Sequence, residues 1–157
     1  MFLSKYPIDL DKTRTFQLFL WKDMPNAYLP PNPNDVNGDG NLDSYYTAEE
    51  LEVFRLSSKS HWDIVVSVDG EELHCLCSHP TPPVFDDGTA TEYPSTEVAD
   101  WNGLRNHDEI RFWADYVDPS KSSYIYDDTG VTGGLNAGDK FVLLGDQNAD
   151  PIDGDST

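Results

Sequence analysis

The fold is decided by the stretch WDIVVSVDGEELHCLCS, residues 62–78. Its first half, Trp62 to Val68, is rich in β-branched residues, which pack well on a pleated sheet. Asp69-Gly70 is a strong signal for a two-residue hairpin turn, and the run from Leu73 to Ser78 returns as the partner strand. The stretch therefore predicts a β-hairpin.

Two helices are predicted, one on either side of this hairpin. Before it, Thr47 stands three residues ahead of Glu50, as in a capping box, which predicts a short helix through Leu51 and Phe54. After it, residues 106–117 form a helical pattern. The apolar face of that pattern carries Ile110, Trp113, Ala114 and Val117.

Three more strands are predicted from short apolar runs. Residues 2–8 have the pattern of a strand end that is broken at Pro7. The aromatic run from Phe16 to Trp21 is a second candidate, and it stops at Met24-Pro25. The run from Lys140 to Leu144 is continuously apolar after its first residue, which is typical of a strand buried on both faces.

Long loops separate these elements. The stretch from about residue 25 to residue 46 is rich in Pro, Asn, Asp and Gly, which indicates a loop insertion, and a second loop covers residues 79–100. The order of strands, helix, hairpin, helix and strand predicts a single α/β (α+β) domain over residues 1–157. Loops of this length are functional, or they belong to a larger protein than this chain.

The chain is strongly acidic. Ten Lys and Arg side chains against 29 Asp and Glu give a formal net charge of −19. Such a charge repels nucleic acid phosphates and anionic membranes at long range. The few basic residues are scattered along the sequence, so the basic groove that duplex DNA needs is not indicated. Most of the acidic side chains are expected to be solvated.

Two polar segments follow predicted strands and carry candidate chemistry. Asp146 and Asn148 are two residues apart after the last strand, so both side chains lie on the same side of a sheet edge. A carboxylate there can bind a cation or orient a water, although a plain turn is the alternative. His79 follows the hairpin and can protonate a leaving oxygen near neutral pH, although a hydrogen-bonded loop histidine is the alternative.

Together these segments resemble the middle of the endonuclease/exonuclease/phosphatase superfamily, which includes pancreatic-type deoxyribonuclease. The family's histidine lies in a His-Ser-Ala-Pro-like motif, and its Asp and Asn lie in Gly-Asp-Phe-Asn-Ala, which reads Gly-Asp-Gln-Asn-Ala at residues 145–149. Residues 3–8 are similar to the family's Leu-Ser-Arg-Tyr-Pro-Ile, and Glu109-Ile110 falls where its helix often has a Glu-Ile pair. Residues 54–63 and 105–113 look like those of a bacterial branch.

The resemblance implies a four-layer αββα sandwich and a hydrolase of phosphodiesters or phosphomonoesters that uses Mg²⁺ or Mn²⁺. By position, His79 would contact the phosphate or act as a general acid. Asp146 would orient the attacking water or bind the metal, and Asn148 would hydrogen-bond the phosphate or that water. Lys59 stands where the family often has a basic phosphate contact, and a solvated lysine is the alternative. With the net charge, a small phosphorylated molecule ranks slightly above duplex DNA as the substrate, and a nucleic acid substrate remains the alternative.

The resemblance also implies motifs that have no counterpart in this sequence. These are an upstream metal-binding Glu and a C-terminal Ser-Asp-His motif, and no histidine follows Asp146. We therefore expect a partial sandwich, as in a fragment, with little or no catalysis by this chain alone.

The loop insertion supports a different hypothesis. It matches the first nine positions of an EF-hand calcium loop, with candidate ligands Asp35, Asn37, Asp39, Asn41 and Asp43. The twelfth position, which should be a bidentate Glu, is Tyr46. A calcium-stabilised binding or structural module without catalysis is therefore the alternative function, and a merely polar loop remains open.

The remaining expectations concern location. No run approaches the roughly 20 apolar residues that cross a bilayer, and the first residues do not have the pattern of a signal peptide. The acidic composition, together with bound calcium, would favour a secreted or periplasmic protein.

Overall fold

The computed structural model describes residues 2–32, 43–84, 100–150 and 152. Four strands form one sheet in the order β1-β2-β3-β4; β2 is antiparallel to both β1 and β3, and β4 is parallel to β3. The elements are β1 (Ile8–Thr15), α1 (Ala48–Leu51), β2 (His61–Val68), β3 (Glu71–Ser78), α2 (Trp101–Tyr116) and β4 (Phe141–Leu144). The predicted α/β class is confirmed, as a mixed sheet with α2 on one face.

The predicted hairpin is confirmed as β2 and β3. Its register runs without a shift from the pair His61 and Ser78 to the pair Val68 and Glu71. The two residues between the strands, Asp69 and Gly70, have φ angles of 53° and 85°. Positive φ at both central positions is the geometry of the tight turns whose twist matches that of the two strands.

Both predicted helices form, with different bounds. Thr47 and Glu50 make the reciprocal capping box, but α1 ends at Leu51, before Phe54. In α2 the predicted face is only partly right: Trp113 is buried, whereas Ala114 is exposed. The buried side carries polar as well as apolar residues, which an apolar pattern cannot show. Its members are Gly103, Asn106, Asp108, Glu109, Phe112, Trp113 and Tyr116.

The strand predicted from Phe16 to Trp21 is wrong. The pairing of β1 with β2 ends at Thr15 and Trp62, and the chain then crosses to α2. Phe16, Phe19 and Trp21 are each about 1% exposed and belong to the main core. These positions are aromatic because they fill the space beneath α2, where Phe16 packs edge-on against Phe112 at a centroid distance of 5.2 Å.

The first strand also differs from the prediction. Residues 2–7 form no strand; β1 begins at Ile8, directly after Pro7, and runs to Thr15. Proline lacks the N–H that a sheet ladder requires, so the strand starts behind it. The register of β1 shifts between Asp9 and Arg14, and this irregularity hides the alternating pattern in the sequence.

β4 forms within the predicted run, without Lys140, but it is not buried on both faces. Its side chains, Phe141 to Leu144, are 36% to 48% exposed. The reason lies in the sheet order, because β4 borders only β3 within the described ranges. A continuous apolar run therefore ends up at an edge of the sheet.

The loop insertion is closed at its base. The amide of Asn32 donates to the carbonyl of Asp43 at 2.7 Å, and the amide of Tyr45 donates to the carbonyl of Pro30 at 3.0 Å. The two ends of the insertion that the structure describes are thus joined by a short antiparallel bridge between Pro31 and Ser44.

Candidate active site

The parallel pairing of β3 with β4 decides where the candidate residues lie. Cys77 of β3 is paired with Leu144 of β4 at the last rung of the ladder. His79 stands two residues beyond Cys77, and Asp146 stands two residues beyond Leu144. Because parallel strands end at the same edge of a sheet, both candidates leave the sheet side by side.

Gly145 allows the two strand ends to approach each other closely. Its φ is +128°, and a Cβ atom added there would lie 1.9 Å from the carbonyl oxygen of Ser78. A side chain of any size would push the strand ends apart at the point where both candidate loops begin.

Asp146 and Asn148 form a compact turn. The backbone amide of Asn148 donates to Oδ1 of Asp146 at 2.9 Å, and Asn148 has a φ of +50°, which asparagine tolerates well. The side chain of Asn148 also donates to the carbonyl of Pro80 at 3.0 Å, which ties it to the His79 loop. An amide nitrogen carries two hydrogens, so a second donor remains for a ligand.

His79 and Lys59 line one cavity at this edge. The cavity has a volume of about 430 Å³. The Nζ atom of Lys59 lies 3.4 Å from the carbonyl of Pro80, the residue next to His79. The structure therefore places Lys59 beside His79 and Gly145. The remaining lining residues are Phe2, Ser60, Trp62, Cys77, Ser78 and Leu144.

Two buried residues of α2 reach these loops, and neither was predicted from the sequence as a site residue. The side-chain nitrogen of Asn106 donates to the carbonyls of Thr81 at 2.8 Å and Gln147 at 3.0 Å. The carboxylate of Glu109 accepts the amides of Ser58 at 2.8 Å and Thr81 at 2.5 Å. The only available signal was their spacing of one helical turn, combined with Glu109 in the family-like Glu-Ile pair.

A second link runs through Ser78. The indole N–H of Trp113 donates to the Ser78 hydroxyl at 2.9 Å, and that hydroxyl donates to Oε1 of Gln147 at 3.2 Å. Gln147 is the residue that departs from the family-like motif. Here its side chain fastens the Asp146 loop to the end of β3.

The donor set at this edge fits a magnesium-type ion in one respect. Asp146 offers a single exposed carboxylate. Within residues 2–32, 43–84, 100–150 and 152, no three His, Cys, Asp or Glu side chains gather in a way that could hold a metal. Mg²⁺ and Mn²⁺ suit carboxylate and water ligands, and Mg²⁺ commonly keeps several waters while using one or two carboxylates. A single carboxylate, that of Asp146, is compatible with this coordination preference.

The calcium hypothesis falls mostly on residues that are not described. Of its five candidate ligands, Asp35, Asn37, Asp39 and Asn41 lie outside the described residues, and Asp43 is at the base of the insertion. The calcium loop therefore stays a prediction.

A different polar cluster lies between the sheet and the C-terminal part of α2. Asp63 is 1% exposed and accepts the hydroxyl of Tyr116 at 2.7 Å and Nδ1–H of His74 at 2.8 Å. The hydrogen bond with Asp63 raises the pKa of His74, partial burial opposes the rise, and the charge of Asp63 adds to it. The cluster joins β2, β3 and α2.

Comparison with known proteins gives one match. The chain matches the family described as the Endonuclease/Exonuclease/phosphatase family over residues 1–157. No curated protein and no solved structure matches it. In the part of the chain that the structure describes, no helix is both long and apolar enough to cross a bilayer. The family is generally hydrolytic on phosphate esters. The chain, which matches from its first residue to its last, belongs to the endonuclease/exonuclease/phosphatase family.

Proposed function

We propose that this chain carries one side of the active site of a divalent-metal-dependent phosphoesterase. The observation that supports the proposal is the convergence of His79, Lys59 and the Asp146 loop at the shared end of β3 and β4. A histidine, a lysine and a carboxylate at one edge of a sheet can bind a phosphoryl group and transfer a proton.

The proposed roles follow from chemistry and exposure. Exposed His79 protonates the leaving oxygen, and Lys59 attracts the phosphate charge. Asp146 orients the attacking water, and Asn148 donates to a phosphoryl oxygen through the hydrogen that Pro80 does not occupy. Mg²⁺ or Mn²⁺, held through Asp146, would stabilise negative charge on the phosphoryl oxygens.

We also propose that catalysis by this chain alone is weak. Among the described residues, no hydrogen bond involves the His79 side chain, and no Asp or Glu lines the cavity that His79 and Lys59 share. Catalytic histidines and metals in hydrolases are ordinarily supported by further carboxylates. Residues beyond those that the structure describes would supply them.

The substrate we propose is a small phosphorylated molecule. The net charge of −19 opposes the approach of a nucleic acid backbone, whose binding depends on neutralising many phosphates. The same acidity is the reason to propose a secreted or periplasmic location.

The test is hydrolysis of bis(4-nitrophenyl) phosphate, a diester, and of 4-nitrophenyl phosphate, a monoester, with Mg²⁺, Mn²⁺ or Ca²⁺. It compares this chain with the same chain extended to its full reading frame. We expect metal-dependent turnover in the extended protein and little in the chain alone. Loss of one general acid–base group should lower turnover by about 10²–10⁴-fold in His79→Ala.

Asp146→Asn should lower turnover comparably, and Asp69→Asn is its matched control. Asp69 lies in the hairpin turn at the other end of β3, and its positive φ suits asparagine equally well. A folded extended protein without turnover on either ester, or with turnover unchanged in both site variants, would overturn the proposal.

A further inference from the structure

Asn106 and Glu109 stand one helical turn apart on α2, and both are 0% exposed. An apolar side chain would be easier to bury at either position, because a buried amide or carboxylate must recover the hydrogen bonds that it made with water. What these two side chains bind is therefore informative.

Asn106 joins two loops. Its amide nitrogen donates to Thr81, two residues after His79, and to Gln147, which separates Asp146 from Asn148. A longer contact of 3.5 Å reaches the carbonyl of Asn148 itself. One buried side chain thus holds the exit of β3 at a fixed distance from the exit of β4.

Glu109 joins one of these loops to a third segment. One carboxylate oxygen accepts the amide of Thr81, and the other accepts the amide of Ser58 at 2.8 Å and its hydroxyl at 3.1 Å. Ser58 is followed directly by Lys59. The carboxylate therefore fixes the lysine segment relative to the histidine loop.

We infer that Asn106 and Glu109 are positioning residues that set the geometry of the phosphoesterase site. The inference rests on the proposed function. Together the two side chains bracket all three segments that carry His79, Lys59, Asp146 and Asn148, yet neither lines the cavity. They act on the reaction through the backbone, by holding the reacting groups of three separate loops at fixed positions relative to one another.

The direct test is hydrogen exchange of backbone amides in the chain itself, which needs no turnover. In Asn106→Leu, a substitution of similar volume without donors, we expect faster exchange in both residues 79–84 and residues 145–150. The amides of the β2–β3 hairpin should keep wild-type protection. If Asn106→Leu fails to fold, Asn106→Ser, which retains a small polar group, takes its place.

Asn102→Ala is the matched control. Asn102 lies on the same helix, and its side chain donates to the carbonyl of Val84 at 2.7 Å, five residues beyond His79. Loss of this hydrogen bond should change the rate of amide exchange near Val84 and leave the exchange rates of residues 145–150 unchanged. Unchanged exchange of both loops in the Asn106 variant would overturn the inference.

Kinetics of the extended, active protein supply the second readout. Misplacement of reacting groups by about 1 Å can lower a rate 10²-fold, so we expect kcat to fall at least about tenfold in Asn106→Leu and Glu109→Gln. KM should stay within about twofold, since substrate contacts are unchanged. Asp115→Asn, which also removes a carboxylate from α2, should retain kcat.

The two proposals fail separately. If the extended wild-type protein has no turnover, the phosphoesterase proposal fails, and hydrogen exchange still decides whether Asn106 couples the two loops. If the wild type is active and both variants keep kcat, the positioning role fails and the proposed function stands.

Discussion

Gly145 is the residue on which the junction of the two candidate loops depends most closely. Two constraints act on it together: a φ of +128°, and the carbonyl of Ser78 at 1.9 Å from any added Cβ. The positive φ disfavours every residue other than glycine. The Ser78 carbonyl leaves no room even for a methyl group.

We expect Gly145→Ala to lower the free energy of unfolding by more than the roughly 1–3 kcal/mol that a disfavoured backbone conformation costs. Gly138→Ala is the control, since Gly138 also has a positive φ, +95°, but nothing within 4 Å of an added Cβ. Urea denaturation of both variants gives the difference, which reports the contact with Ser78. Equal losses in the two variants would contradict the crowding argument.

At the residue scale, His74 and His61 respond to pH in opposite directions. The hydrogen bond to Asp63 raises the pKa of His74, so the folded state favours its charged form. Burial lowers the pKa of His61, whose Nε2–H donates to the backbone carbonyl of Glu109. The stabilisation from His74 is therefore full below its unfolded pKa and is lost as pH rises through its folded pKa, whereas His61 destabilises the fold as pH falls.

We expect His74→Gln to destabilise the protein more at about pH 6 than at about pH 9, because the charged pair with Asp63 exists only at the lower pH. The contribution of His61 is common to both proteins and cancels in the difference. Urea unfolding of wild type and variant at both pH values measures this difference in the free energy of unfolding. A difference that is constant, or that grows toward pH 9, would contradict the role given to the pair.

At the scale of the elements, local signals predict the structure correctly where they are strong. The hairpin has a turn that only a few residue pairs form, and α1 has a capping box, so both could be predicted. The run from Phe16 to Trp21 has strand-like composition but packs as an irregular segment under α2. Its conformation depends on the aromatic side chains of a helix some ninety residues away, and no local pattern contains that information.

The candidate site shows the same division. Residues that follow strands, such as His79 and Asp146, can be recognised from the strand pattern before them. Asn106 and Glu109 cannot, because a polar residue on a helix is ordinarily assigned to the solvent face. Their burial becomes evident only when the loops that they bind are in place.

We expect Phe16→Ala to lower the free energy of unfolding by about 3–5 kcal/mol, the usual cost of removing a fully buried aromatic side chain. Leu18, two residues on in the same segment, is 44% exposed. Leu18→Ala should change stability by no more than about 0.5 kcal/mol. Chemical denaturation of both variants tests the assignment, and similar losses would instead favour the strand that the sequence predicted.

At the scale of the whole molecule, the two edges of the sheet differ. β1 is protected as natural edges commonly are, by Pro7 before it, a register shift within it and charged side chains along it. β4 carries Phe141, Val142, Leu143 and Leu144 and has none of these features.

We expect self-association of this chain to increase with salt. The Debye length falls from about 10 Å at 0.1 M to about 3 Å at 1 M ionic strength, which screens the net charge of −19. Sedimentation velocity at both salt concentrations measures the effect. Leu143→Lys should suppress it, because lysine on an edge strand opposes pairing, whereas Leu10→Lys on β1 should not.

The outer edge of β4, with which no described strand pairs, also has a consequence for the behaviour of the chain at high concentration. An unpaired strand edge beside apolar side chains is a template on which like chains can stack into fibrils. Mutual repulsion between molecules of the same sign keeps such templates apart in dilute salt. The net charge of −19 would then limit aggregation at low salt, and high salt would remove that protection.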